Sequence, residues 1–251
     1  WQRLPEANDG LEQAAADYYG SSSLLPVAGS QAAIQAIPRL RASCRVGVLS
    51  PAYAEHAHAW EQAGHQIIPL SPDKIEAALP ELDVLVVVNP NNPTGHRFDR
   101  DQLLSWREVL HARGGLLLVD EAFIDCRPEQ SLVPLCPMPG LVVLRSLGKF
   151  FGLAGIRVGF AFAPPELLSE LREYLGPWTV SAPAREITRR ALGDRQWQQE
   201  NRVRLQEMSE RLAQLIESVG LTISGSTELF HWWSIPMRNS STIHSPRRHY
   251  G

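Results

Sequence analysis

From Val46 to Ala163 the chain alternates short apolar runs with longer segments in which apolar positions recur at helical spacing. The runs are Val46–Leu49, Ile67–Leu70, Val84–Val88, Leu116–Val119, Val142–Leu144 and Val158–Ala163. Most are rich in Val, Leu and Ile, with little polar alternation, as strands covered on both faces of a mainly parallel sheet are. Between them, Ser30–Leu40, Ala54–Ala63 and Asp101–Arg113 predict helices. Asp99 or Arg100 starts the third helix and Gly114-Gly115 ends it. Such alternation predicts an α/β fold with a doubly wound sheet. Pro164-Pro165 marks a change of character. Glu166–Leu175, Pro183–Leu192 and the unusually long Arg195–Val219 read as helices, and Gly220 suits a C-cap. Leu221–Ile223 and Leu229–Ile235 read as strands of a second, smaller unit. The expected organisation is a large domain over residues 1–163, then linker helices and an incomplete small α+β domain over 164–251.

Charge and composition narrow the partners. A formal net charge of −3 gives no electrostatic reason to expect nucleic acid or an acidic membrane surface. The Arg247-Arg248 pair reads as solvated surface. No apolar run is long enough to span a bilayer. Cys44, Cys126 and Cys136 lack metal-type spacing, and their odd number without a signal peptide points to a reducing, cytoplasmic setting. His56 and His58 lie two apart, so on a helix they share no face and make a poor metal site; no metal is expected. The chain starts at Trp1 and stops soon after Ser240-Ser241-Thr242 in a polar stretch, which suggests a fragment.

The unusual residues cluster where the predicted strands end. Val46–Leu49 runs into Ser50-Pro51-Ala52-Tyr53, and Val84–Val88 into Asn89-Pro90-Asn91-Asn92-Pro93-Thr94-Gly95. Leu116–Val119 ends at Asp120-Glu121-Ala122-Phe123, and Val142–Leu144 leads to Ser146-Leu147-Gly148-Lys149. Open α/β sheets bind ligands beyond the carboxyl ends of their strands. If these strands are adjacent and parallel, a Tyr, an Asn, an Asp, a Ser and a Lys share one edge. A partly desolvated lysine amine can form a Schiff base with an aldehyde. An aspartate can keep a pyridine nitrogen protonated and make the ring an electron sink. An asparagine can donate to a phenolate oxygen, and a tyrosine ring can stack on an aromatic cofactor. Gly29-Ser30-Gln31 opens a helix whose free N–H groups suit a phosphate, and Ser146 and Arg157 can add contacts to it.

Each residue has a plainer alternative. Lys149 taken alone resembles a surface lysine, Asp120-Glu121 a helix cap, Asn91-Asn92-Pro93 a turn and Gly29-Ser30 an N-cap. Tyr53 and the Trp232-Trp233 pair taken alone read as packing residues, and His96 as exposed. A nucleotide-binding domain is disfavoured, because no Gly-x-Gly-x-x-Gly or Walker-type loop follows a strand.

Taken together, Asn-Pro-Asn-Asn-Pro-Thr-Gly, Asp-Glu-Ala-Phe and Ser-Leu-Gly-Lys-Phe-Phe-Gly-Leu-Ala-Gly-Ile-Arg-Val-Gly, in this order and spacing, resemble the class I/II aminotransferases, the fold-type I pyridoxal-phosphate enzymes. The resemblance runs from about Leu11 to about Gly220 and implies an aspartate-aminotransferase-like large domain with pyridoxal 5'-phosphate as cofactor. It implies Lys149 as the cofactor-bearing lysine, Asp120 on the pyridine nitrogen and Asn92 on the ring hydroxyl. Tyr53 would stack on the ring, with Ser30, Gln31, Ser146 and Arg157 around the phosphate. Within the family the chain is most similar to the branch of histidinol-phosphate aminotransferases and threonine-phosphate decarboxylases, and Asp120–Asp125, Arg3-Leu4-Pro5-Glu6 and Pro26-Val27-Ala28-Gly29-Ser30-Gln31 are similar to the decarboxylase group. Phe123 stands where many aminotransferases carry a tyrosine. The implied activity is decarboxylation of L-threonine O-3-phosphate in cobalamin biosynthesis, by a homodimer acting on a small phosphorylated amino acid. Amine transfer of the histidinol-phosphate type, or an inactive paralogue, are the alternatives. The family's substrate-carboxylate arginine has no motif match at Arg238, Arg247 or Arg248.

Overall fold

The computed structural model describes residues 4–6 and 8–234. Trp1, Arg3, Ile235, Arg238, Ser240-Ser241-Thr242, Arg247 and Arg248 lie outside the described residues. The chain opens with α1 (Leu11–Tyr19), β1 (Leu24–Val27) and α2 (Ser30–Ala36), which tightens into a 3-10 turn at Ile37–Leu40. Then follow β2 (Arg45–Leu49), α3 (Ala54–Gln62), β3 (Gln66–Leu70), α4 (Ile75–Ala78), β4 (Val84–Val88), α5 (Arg100–His111) and β5 (Leu116–Asp120). After a stretch of short 3-10 turns come β6 (Leu141–Ser146), β7 (Gly159–Phe162), α6 (Pro165–Leu175) and α7 (Ala182–Gly193). The 24-residue α8 (Arg195–Ser218) leads to the hairpin β8 (Thr222–Thr227) and β9 (Phe230–Ser234).

Seven strands form one sheet in the order β1-β7-β6-β5-β4-β2-β3. The pairs β3–β2, β2–β4, β4–β5 and β5–β6 are parallel, whereas β7 runs antiparallel to both β6 and β1. All five residues of β4 and of β5 are buried, because helices cover both faces. Side chains alternate between two cores. Leu85, Val87, Leu117, Val119, Leu141 and Val143 pack with α1, α5 and α7 on one face. Val84, Val86, Leu116, Leu118, Val142 and Leu144 pack with α2, α3 and α6 on the other. The α/β, mainly parallel architecture expected from the apolar runs is present. Thus α6 and α7, although they follow Pro164-Pro165, contribute Leu168, Leu171, Ala184 and Leu192 to these cores.

Two side chains or pairs that could have been core packing lie at the surface instead. Trp232 and Trp233 are each 42% exposed on β9, and Tyr53 is 39% exposed rather than inside a core. The β8–β9 hairpin has no second sheet behind it among the described residues, so Trp232 and Trp233 lack a layer in which to bury.

Candidate cofactor site

Because β2, β4, β5 and β6 are adjacent and parallel, their carboxyl ends meet along one edge. There Ser30, Gln31, Tyr53, Asn92, Asp120, Ser146, Lys149 and Arg157 all line a single cavity of about 230 Å3. Every residue named as a site candidate is therefore in one place. Lys149 and Asp120 face the same space, so the side chains are not divided between opposite faces of the sheet. Glu55, Val88, Ala122, Phe123, Gly148 and Ala154 complete the wall.

Strand alternation explains the selection. Asp120 ends β5 on the same face as Leu118, and Ser146 ends β6 on the same face as Leu144, both toward α2 and α3. Glu121 and Arg145, one step along, turn to the opposite face. There Arg145 Nη1 lies 3.2 Å from Glu121 Oε2, and Arg145 Nη2 pairs with Asp125 Oδ1. All three charged side chains are at most 1% exposed. Ser131 Oγ accepts from Arg145 and donates to Glu121, and Tyr18 Oη donates to Asp125 at 3.0 Å. Arg202 of α8 donates to the Asp125 carbonyl oxygen at 2.9 Å. Burial raises the Glu121 carboxyl above its ordinary value, and the Arg145 charge and neighbouring hydrogen bonds only partly offset this. The residues adjoining Asp120 and Ser146 thus anchor the strand ends from beneath.

His56 was discounted in the sequence as half of a poor metal pair, yet it is fully buried, with Nε2 2.9 Å from Asp120 Oδ2. It is one helical turn beyond Tyr53, on the sheet-facing side of α3, whereas His58 is exposed. The signal missed was its spacing from Tyr53, which sends two side chains from the start of one helix to the same strand end. The second Asp120 oxygen accepts from the Ala122 amide at 3.0 Å, so the carboxylate is held on two sides.

The two neighbouring asparagines divide their tasks. Asn91 is buried and donates to the Pro51 carbonyl oxygen at 2.9 Å and to Thr94 Oγ1 at 2.7 Å, which ties the loop together. Asn92 is the one that lines the cavity. Gln31 behaves differently from a simple phosphate ligand. Its side-chain amide donates to Glu55 Oε2 at 2.7 Å, and its carbonyl oxygen accepts from Tyr53 Oη at 3.3 Å. Burial, together with the Glu55 and Asp120 charges, raises the Tyr53 phenol above its ordinary value and keeps that donor protonated.

At the other end of the cavity the backbone itself makes room for an anion. Gly29 has φ +73°, and a Cβ there would come 2.7 Å from Arg157 Nη2. A Cβ on Gly159 would come 2.5 Å from the Ser30 amide nitrogen. A side chain at Gly29 would fill the space beside the Arg157 guanidinium, and one at Gly159 would press on the backbone at the start of α2 and on the Arg145 carbonyl oxygen. The first N–H groups of a helix have no partner inside it. Donors therefore converge at one end of the cavity, while a carboxylate and an amine occupy the remainder. This is the polarity that pyridoxal phosphate requires, and the residues present fit it.

The sequence comparisons agree with this geometry. The family model described as aminotransferase class I and II matches residues 5–242. The chain belongs to the class I and II aminotransferase family. Within this family, the chain is 56% identical over 230 residues to a threonine-phosphate decarboxylase of Pseudomonas aeruginosa, covering 92% of this chain and 70% of that protein. It is 33% identical over 208 residues to a histidinol-phosphate aminotransferase of Vibrio campbellii, covering 77% of this chain and 59% of that one. The crystal structure of the histidinol-phosphate aminotransferase from Clostridium acetobutylicum shares the fold, with a TM-score of 0.80 at 20% identity, over 87% of this chain and 70% of that structure. The aminotransferase-family fold is thereby established.

Proposed function

We propose that the chain carries the pyridoxal-phosphate site of a lyase that decarboxylates L-threonine O-3-phosphate to (R)-1-aminopropan-2-yl phosphate. The observation that carries this reading is the 56% identity to the Pseudomonas decarboxylase. The cavity supports it, because Lys149, Asp120, Asn92 and Arg157 converge there. Bound pyridoxal phosphate supplies an electron sink for the pair of electrons left when a bond at the substrate's α-carbon breaks.

The chain's own residues do the rest. Lys149 offers a primary amine that would hold the cofactor through its aldehyde carbon. Asp120 holds a proton at the ring nitrogen, and His56 fixes the orientation of that carboxylate. Asn92 donates to the ring oxygen, and Tyr53 covers the ring. Ser30, Ser146, Arg157 and the amides at the start of α2 bind the phosphate. Gln31 acts on Tyr53 through its side chain. Phe123 has no hydroxyl to offer the ring oxygen, and its ring centroid lies 5.3 Å from Lys149 Nζ. Which bond at Cα breaks depends on how the substrate is oriented, and groups that grip its carboxylate and phosphate would set that orientation.

The 33% identity to the Vibrio enzyme favours amine transfer as the second reading. In it the Lys149 amine would carry the proton from Cα. We further read residues 1–163 as the cofactor-binding unit, with linker helices and part of a smaller unit in 164–251, and the assembly as a homodimer. No helix among the described residues is long and apolar enough to cross a membrane. The three cysteines are free, which supports a cytoplasmic setting.

The deciding experiment supplies threonine phosphate to the pyridoxal-phosphate-loaded protein and measures carbon dioxide. Release that is abolished by Lys149→Ala, together with loss of the lysine-bound cofactor's visible absorbance band, is expected. Absence of release, with amine transfer from histidinol phosphate to 2-oxoglutarate, replaces the lyase with the transaminase.

A further inference from the structure

The β8–β9 hairpin is docked onto the two loops that carry Asn92 and Phe123. Glu228, in its turn, receives Arg97 Nη2 at 2.9 Å and Arg127 Nε at 2.6 Å. Arg97 follows the Asn92 loop, and Arg127 follows Phe123 by four residues. Arg97 Nη1 also donates to the Ser226 carbonyl oxygen at 3.1 Å. The backbones themselves touch. A Cβ on Gly225 would overlap the Thr94 carbonyl oxygen, and one on Gly95 would come 2.6 Å from the Ser226 nitrogen. Beyond the turn, Phe230 packs edge-on against Phe123, with centroids 5.1 Å apart. On its other side the hairpin is fixed to α8, where Ser209 Oγ donates to the Thr227 carbonyl oxygen at 3.2 Å and His231 Nε2 lies 3.0 Å from the Ser209 carbonyl oxygen.

We propose that Glu228, clamped by Arg97 and Arg127, is a positioning residue for the cofactor pocket: it seats the hairpin so that the Asn92 loop and the Phe123 ring are held in place. The proposal rests on the cofactor reading above. Its mechanism is the removal of freedom. The Asn92 loop is braced from inside by Asn91 and from outside by the backbone contacts of Thr94 and Gly95 with Gly225 and Ser226 of the hairpin, and the ion pairs hold those contacts closed. None of the clamp residues lines the cavity.

Two variants break the docking by unrelated means. Glu228→Gln removes the charge and keeps the shape, whereas Gly225→Ala leaves every charge and inserts one methyl group between the backbones. In the cofactor-free chain, amide hydrogen exchange at Asn91 and Gly95 is expected to quicken in both variants, on the order of fivefold for the loss of a partly buried ion pair. In the loaded chain both are expected to retain pyridoxal phosphate several-fold less well and to shift the pH midpoint of its absorbance band. Glu228→Asp should recover part of each effect. Unchanged exchange, retention and midpoint in both variants, while amides in β8 and β9 themselves exchange faster, would overturn the proposal. Wild-type protein that shows no band with added pyridoxal phosphate would overturn the cofactor reading and this proposal together, so the two failures are distinguishable.

Discussion

Two ion triads flank the cavity, and their stoichiometry is inverted. Beneath the strand ends, one arginine, Arg145, lies between two carboxylates, Glu121 and Asp125, all out of contact with water. At the rim, one carboxylate, Glu228, lies between two arginines whose side chains are 25% and 50% exposed. The inner triad joins β5 and β6, which are already paired in one sheet. The outer one joins the hairpin to loops more than a hundred residues away in sequence. The difference teaches that similar groups serve different purposes at different depths. A buried triad is costly to leave incomplete and so fixes the framework. A partly solvated one contributes little energy and can be opened.

The largest expected effect breaks the inner triad. Arg145→Met leaves two buried carboxylates without their cation and should cost about 3–5 kcal/mol in urea unfolding. A loss under about 1 kcal/mol would make the two triads equivalent and end the distinction. Glu228→Gln should cost only about 0.5–1 kcal/mol of stability, despite its effect on cofactor retention; chemical denaturation with and without pyridoxal phosphate separates the two quantities.

The pH dependences should have opposite signs. Burial pushes Glu228 up, but the hydrogen bond from Arg127 and the Arg97 and Arg127 charges outweigh it and hold its carboxyl below the ordinary 4.5. Its stabilising contribution is thus present above 4.5 and lost as pH falls through the depressed value. Glu121 is raised above 4.5, so the folded state binds that proton more readily than the unfolded state, and its contribution declines as pH rises through the raised value. Subtracting the stability of Glu228→Gln and of Glu121→Gln from that of the wild type across the acidic range should give slopes of opposite sign. Parallel slopes would erase the contrast. The smallest effect is that of salt. Raising ionic strength to about 1 M, where the screening length is roughly 3 Å, should lower wild-type stability slightly and that of Glu228→Gln less, with the inner triad unaffected.

Much of the sheet was legible because Val84–Val88 and Leu116–Val119 are continuous apolar runs of strand length, as strands covered on both faces are. β1 was not, since it has only four residues, includes Pro26 and pairs antiparallel at the sheet's edge. Chemistry confined to one strand end, such as Asp120 or Lys149, could be read from local motifs. His56 could not, because its partner is 64 residues away and its value depends on which side of α3 meets the sheet. Gln31 lines the cavity, but the direction of its side chain depends on Glu55 and Tyr53, which no local pattern specifies. Glu228 carried no signal at all. Its two arginines are 131 and 101 residues distant.

Asp120 and Glu121 are successive acids with different duties, and the pleat alone separates them. Inserting or deleting one residue in β5 would exchange their faces, presenting the cavity with a carboxylate one methylene too long and the face of Arg145 with one too short. Variation at this dipeptide is therefore confined to replacing side chains. A change in the length of the strand would disturb the cavity wall and the foundation of the sheet in the same stroke.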